Sequence, residues 1–403
     1  MLRLLGLLVT MPLLLQSLLT TTRCRAALVV RGQSSSTRHR LSSSASLFDF
    51  GVCADVQYVD ADDDFNFQKT KMRRYRQSLR ILNEAVEHWR TGQESKVKFA
   101  LLLGDILDGK ANQLQSQEAC FEQVSAVCKS ASSISYYPTL GNHDYYCFSR
   151  PDLHARLFQT IPETSPTKLY YDFSPHPAWR IISLDAYDVS LIGASSSTHL
   201  DQARTLLAKE NPNDLEVSGS WFNNLPRDKF RFVPYNGGLG ELQLQWLEQT
   251  LADAKSKDQR CIIFAHQPVH APDKPQSLIW NSEAVVDIMK VSAYSPSLLF
   301  YCSSAYTFPP PSFPPLFAPH PSPCQAAGNV RLWIAGHDHD GQYSCVGDTH
   351  HLVPPAPIEC GPGERAFGTV AVYEDRIELR WVGRQPSRPT IDPWSGTRCM
   401  RIR

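Results

Sequence analysis

From residue 47 onward, short apolar runs alternate with amphipathic stretches, the rhythm of a layered α/β protein. LFDFGVCA, VKFALLL (97–103), SYYPTL (135–140), RIISLDA (180–186), RCIIFAH (260–266) and RLWIAGH (331–337) read as strands. TVAVYEDRIELRWV (369–382) reads as a hairpin that turns near Glu374 and Asp375. Two stretches carry helical spacing instead. Tyr75, Leu79, Leu82 and Val86 share one face of a helix predicted over Lys71–Arg90, and Leu244, Leu247 and Leu251 share one over Leu242–Ala254. With 403 residues, 42% of them hydrophobic, the chain can bury one large core or two ordinary ones. A single domain over residues 48–385 is expected, with a short tail at 386–403.

Two segments stand outside this rhythm. Residues 1–47 contain no Asp or Glu, while Arg3, Arg23, Arg25, Arg31, Arg38 and Arg40 punctuate a Leu-rich and then Ser-rich stretch. That pattern predicts a cleavable targeting segment for the mitochondrion or a plastid, with the secretory pathway and a membrane anchor as alternatives. Residues 293–327, AYSPSLLFYCSSAYTFPPPSFPPLFAPHPSPCQAA, are Pro-rich and aperiodic directly before a core strand. So long a structureless loop reads as a surface insertion or as a retained intron in the gene model, disordered in either case.

Charge narrows the range of functions. Lys plus Arg and Asp plus Glu both number 40, so no global field attracts nucleic acid or an acidic membrane, and any phosphate binding must be local. The eleven cysteines form no C-x-x-C pair, which excludes a zinc-knuckle or disulfide framework and predicts mostly free thiols.

The polar residues that carry chemistry stand where the apolar runs stop. The first run ends in Asp55 and Gln57, VKFALLL in G-D-I-L-D-G with Asp105 and Asp108, and SYYPTL in G-N-H-D with Asn142, His143 and Asp144. RCIIFA delivers His266, and RLWIAG delivers His337 and His339. In open α/β sheets ligands gather outside the carboxyl ends of strands, so these stretches can converge on one crevice. Singly, most have a structural explanation: G-D after a strand is a common turn, G-N-H-D fits a turn with Asn left-handed, and His266 fits a hydrogen-bonded strand end. The G-H-x-H pair fits that explanation less well, since alternate strand positions put both imidazoles on one side. Jointly, every member supplies an oxygen or nitrogen donor suited to a divalent metal, and a shared metal site accounts for all of them.

In this order the motifs resemble the calcineurin-like metallophosphoesterase superfamily, whose fold is a double β-sheet sandwich flanked by helices around two metal ions. The resemblance implies that Asp105 bridges the metals. Asp55, Gln57 and His339 would complete one ion's ligands, and Asn142, His266 and His337 the other's. His143, oriented by Asp108, would lie beside the ions and stabilise the transferred phosphoryl oxygen or protonate the leaving group. The chemistry fits: two cations about 3.5–4 Å apart can clamp the attacking and leaving oxygens of a displacement at phosphorus and supply hydroxide near neutral pH.

One position departs from the superfamily pattern. Most members have D-x-H where this chain has D-x-Q. An amide oxygen is a harder ligand than imidazole, which favours manganese or magnesium over zinc. D-x-Q resembles the manganese-dependent ADP-ribose/CDP-alcohol diphosphatase branch, as do FNFQ (65–68), LDAYD (184–188), NGGLGELQLQWL (236–247) and AFGTVAVY (366–373). Phe67 resembles an aromatic of that branch's substrate cleft, though a packing role explains it equally well. The branch implies hydrolysis of ADP-ribose to AMP and ribose 5-phosphate, and of CDP-choline to CMP and phosphocholine; a monomer without nucleic-acid or stable membrane partners is expected. The alternatives are a phosphomonoesterase, a sphingomyelinase-like phosphodiesterase, or an inactive nucleotide-binding relative.

Overall fold

The apolar runs form the middles of two six-stranded sheets. The structure is a computed structural model that describes residues 45–92, 97–217, 219–291, 328–386 and 401–402, all within one compact unit. Most of the predicted targeting segment, the whole Pro-rich segment 293–327 and most of the tail lie outside the described residues.

In the first sheet, β1 (Phe48–Cys53) pairs in parallel with β2 (Val97–Leu102), and β2 with β3 (Ser135–Pro138). In the second, β4 (Tyr171–His176) lies antiparallel to β5 (Trp179–Ser183), and β5, β6 (Arg260–Phe264) and β7 (Val330–Ile334) run parallel to one another. β8 (Gln342–Val346) and β9 (Thr349–Val353) complete it, β9 parallel to β7 and β8 antiparallel to β9. The predicted hairpin returns to the first sheet as β10 (Ala366–Val372) and β11 (Ile377–Gly383), with β10 antiparallel to β1. β12 (Arg401–Ile402), from the stretch expected to be tail, pairs in parallel with β11.

Parallel strands covered on both faces read as continuous apolar runs, and alternate residues here enter different cores. Ile181, Ile262 and Ile334 join Phe50, Phe99 and Val370 in one core. Their neighbours Ile182, Ile263 and Trp333 join Leu244, Leu247 and Leu251 of the helix Glu241–Ser256 in the other. The outer face of β1 is covered by Trp89 of the helix Tyr75–Thr91, whose indole leaves no room for a side chain at Gly51 and donates to the Gly368 carbonyl at 3.1 Å. Each large side chain so buried contributes about 1.5–3 kcal/mol. The strand ends that carry the polar motifs are therefore fixed by two cores.

The first helix is shorter than predicted. Met72–Arg73 instead pairs with Asp64–Phe65 in a small hairpin, and the helix starts at Tyr75. Asn66 Oδ1 accepts from the Thr70 and Lys71 amides and closes the hairpin turn, while Lys71 and Arg73 are drawn to Glu359 and Asp108. Those tertiary ion pairs override the helical periodicity. Helices over Gln117–Lys129 and Ser197–Glu210 were not legible, because each buries only two or three residues. No helix among the described residues is long and apolar enough to cross a membrane, and the cysteines among them are free thiols.

Candidate metal centre

Five strand ends meet at one place. Asp55 and Gln57 follow β1, Asp105 follows β2, Asn142 follows β3, His266 follows β6, and His337 and His339 follow β7. The backbone there is forced: Asp55, Gln57, Asp105 and His337 have φ of 48°, 45°, 53° and 70°, in the left-handed region. Such conformations cost about 1–3 kcal/mol each for residues with a Cβ and persist only where the surroundings impose them.

A hydrogen-bonded frame imposes them here. The Gln57 amide donates to the Asp105 carbonyl at 2.8 Å, tying the end of β1 to the end of β2. Both Asp55 oxygens accept from the His337 amide at 3.1 Å, and Asp105 Oδ1 accepts from the His143 amide at 2.8 Å. Asp144 clamps two loops together, its oxygens accepting from the Gly141, Asp105 and Ile106 amides at 2.8, 2.8 and 2.9 Å. Packing is equally close: a Cβ on Gly141 would fall on the Asp105 carboxylate, and one on Gly336 on that of Asp55. Asp144→Ala would leave three buried N–H groups unpaired, at about 1–3 kcal/mol apiece. A loss of roughly 3 kcal/mol or more is expected in denaturant unfolding, and a loss under about 1 kcal/mol would show that the clamp is dispensable.

The electrostatics of the centre call for cations. Asp55, Asp105 and His339 bring ligand atoms within 4.8 Å of one another. The two carboxylates are 0% and 1% exposed, and burial followed by Asp55 raises Asp105 well above the carboxylate range. Burial opposes protonation of His339, yet Glu359 and Asp55 together push it up to about 10. This half of the centre therefore attracts positive charge strongly.

Gln57 belongs to this half. Its Nε2 lies 2.8 Å from Asp105 Oδ2 and 3.0 Å from His339 Nε2, while its buried Oε1 has no partner. A half-turn of the amide exchanges the two atoms in the same volume and aims the oxygen between Asp105 and His339. An orphaned buried carbonyl is costly, and a cation among these atoms removes the cost.

The other half shows the same need through its histidines. His266 Nδ1 lies 2.7 Å from the Leu103 carbonyl and must donate to it, which leaves Nε2 with a lone pair. His337 Nε2 lies 2.8 Å from Asn236 Oδ1; with Asn236 Nδ2 donating to three carbonyls, that contact is a donation from His337, and Nδ1 keeps the lone pair. The two lone-pair nitrogens, His266 Nε2 and His337 Nδ1, face each other at 3.1 Å. Burial holds both imidazoles below their usual pKa, so no proton bridges the gap at neutral pH. Adjacent donors of one ion lie about 3 Å apart when each is about 2.1 Å from it. The residues fit a pair of divalent cations.

His143 lines the same cleft, and one expectation about it needs correction. Its Nδ1 accepts from the Gly109 amide at 2.9 Å, so the ring proton sits on Nε2. Asp108 is 3.5 Å from that Nδ1 and takes Arg73 Nη1 at 2.5 Å and the Lys110 amide at 2.8 Å instead. The backbone of the G-D-I-L-D-G turn, and not the Asp108 carboxylate, therefore orients His143. Burial outweighs Asp108 and pushes His143 down to about 3, so the ring is a neutral donor. Asn142 has only long contacts, 3.4 Å each, to Tyr187 and Tyr146.

Gln57, Asp105, Asn142, His143, His337 and His339 line a cleft of about 660 Å³, whereas Asp55 and His266 are 0% exposed. Phe67 stands on its rim, 58% exposed, with its ring centroid 6.1 Å from that of Trp221. Several lining groups had no readable signal in the sequence. Glu359 accepts from His339 Nδ1 at 2.8 Å, and Lys71, Arg73, Tyr235 and Lys274 also line the cleft. Asn236 opens the NGGLGELQLQWL segment, which the sequence marked only by resemblance; the structure gives it the His337 contact.

Comparison with known proteins agrees with this geometry. The calcineurin-like phosphoesterase family model matches residues 48–341. A human protein named manganese-dependent ADP-ribose/CDP-alcohol diphosphatase is 35% identical over 86% of this chain and 93% of its own length. The Arabidopsis thaliana protein of that name is 33% identical over 85% and 96%. A crystal structure of a dimetal phosphatase from Danio rerio superposes with a TM-score of 0.67 at 32% identity, covering 85% of this chain and 98% of the other. The chain belongs to the calcineurin-like phosphoesterases, in their manganese-dependent ADP-ribose/CDP-alcohol diphosphatase branch.

Proposed function

We propose that this protein hydrolyses the pyrophosphate bond of nucleoside diphosphate derivatives, ADP-ribose to AMP and ribose 5-phosphate and CDP-choline to CMP and phosphocholine. The observation that carries the reading is the donor set: buried lone pairs on Gln57, His266 and His337 that no protein group satisfies, arranged around two carboxylates. Asp55, Gln57, Asp105 and His339 would hold one manganese ion, and Asp105, Asn142, His266 and His337 the other. The bound pair would neutralise the diphosphate and provide the attacking oxygen.

The protein's own groups supply the rest. His143, with its proton fixed on Nε2 by the Gly109 amide, donates a hydrogen bond to a phosphoryl oxygen, where charge develops. Glu359 fixes the His339 tautomer, as carboxylates commonly do for metal-ligating imidazoles. The reading takes the enzyme as a monomer and residues 1–47 as an organelle address, which import of the full-length chain into isolated mitochondria or plastids tests. Turnover of ADP-ribose and CDP-choline with manganese, lost in EDTA, is the test of the activity; no release of AMP or CMP with any divalent metal would overturn it.

The amide at position 57 makes a sharper test of metal choice. Gln57→His should keep the fold and a metal-dependent activity while moving the preferred metal from manganese towards zinc, since imidazole suits the softer ion. Activity titrated against each metal reads this directly. An unchanged preference would mean that the amide does not select the ion.

A further inference from the structure

Cationic side chains line both walls of the cleft, two on each side. Arg73 and Lys110, on the His143 side, are each matched by one carboxylate, Asp108 at 2.5 Å and Asp64 at 2.8 Å. The His339 side gathers its cations on one residue instead. There Asp340 alone receives Lys71, Lys274 at 2.7 Å and Arg384 at 3.3 Å. Lys71 also reaches Glu359 Oε2 at 3.0 Å, but the other oxygen of Glu359 is committed to His339. Lys71, Lys274 and Arg384 thus converge on Asp340, with Glu359 and the buried Asp338 close by.

The two lysines come from different parts of the chain. Lys71 stands on the hairpin after β1, and Lys274 in the loop after His266; both line the cleft, with side chains 37% and 34% exposed. Asp340, next to His339, takes one ammonium on each oxygen and so holds two like charges side by side facing the opening. Two donors spaced for a carboxylate are also spaced for two non-bridging oxygens of a phosphate.

The geometry points to a subsite for the unattacked phosphate: Lys71 and Lys274, tethered by Asp340 beside His339, bind the second phosphate of a diphosphate substrate and select diphosphates over esters with a single phosphate. The subsite rests on the diphosphatase reading above and adds the residues that make it a diphosphatase. Lys274 is the cleaner of the two to test. Its ammonium touches Asp340, whereas Lys71 also supports Glu359 and through it His339.

The experiment compares full-length wild type with Lys274→Met and Lys274→Arg, each saturated with manganese. Loss of one charge-assisted contact to phosphate should lower kcat/KM for ADP-ribose and CDP-choline by about 10- to 100-fold in Lys274→Met. Turnover of bis(p-nitrophenyl) phosphate, with its single phosphate, should change by less than about threefold, and Lys274→Arg should recover most of the loss. Inhibition by methylenediphosphonate, a diphosphate that cannot be cleaved, should weaken in step with the diphosphate substrates. Equal losses on one-phosphate and two-phosphate substrates, or undiminished diphosphate turnover in Lys274→Met, would overturn the subsite. Failure of the unmutated enzyme to cleave any diphosphate would instead overturn the activity itself, and the subsite with it.

Discussion

Asp105→Asn is expected to lower kcat/KM by about a thousandfold or more, because a bridging charge that organises two cations supplies several kcal/mol at about 1.4 kcal/mol per tenfold. The change is nearly isosteric, and the oxygen that accepts the His143 amide can be kept. Burial and the neighbouring Asp55 already hold the Asp105 carboxyl well above its ordinary pKa, so the charge is unfavourable until cations compensate it. In EDTA, therefore, the variant should melt no lower than wild type and even somewhat higher. With manganese, wild type should gain stability by mass action while the variant does not. A variant that melts lower in EDTA and still gains stability from manganese would assign Asp105 to the fold instead of to the ions.

Two adjacent substitutions should separate ion binding from chemistry. Asn142→Ala removes a proposed ligand, so activity should collapse and reappear in part only at much higher manganese concentration. His143→Ala removes a donor that faces the reacting phosphate, at a cost of about 10²- to 10³-fold in kcat, with the manganese concentration for half activation unchanged. The Gly109 amide makes the argument specific: it fills Nδ1 and leaves Nε2–H as the working end. His143→Gln, which keeps an N–H donor, should therefore recover part of the loss. Equal weakening of manganese activation in the Asn142 and His143 variants would refute the distinction. Asp108→Asn should be milder than either, since Asp108 is bonded to Arg73 and the Lys110 amide and lies 3.5 Å from the histidine.

The sequence by itself determined the frame and the donor list. Strands buried on both faces must be apolar throughout, so the runs around Phe50, Ala100, Ile181, Ile262 and Trp333 were legible, and each points along the chain to the polar residue that follows its end. Asp55, Gln57, Asp105, Asn142, His143, His266, His337 and His339 were all singled out this way, since a strand end is a local feature. The edge strand Gln342–Val346 was missed because Gln342 and Ser344 break its apolar run, and the helix Gln117–Lys129 because it buries only Cys120 and Val124.

Only the tertiary structure decided how those donors are used. Which nitrogen of His143, His266 or His337 carries the proton depends on Gly109, Leu103 and Asn236, distant in sequence and met only on folding. The reassignment of Asp108 to Arg73 and the gathering of Lys71 and Lys274 on Asp340 have the same origin. Burial and periodicity are written locally in residue types, whereas hydrogen-bond and charge partners are chosen across the crevice, where the sequence order of the loops says nothing about who faces whom.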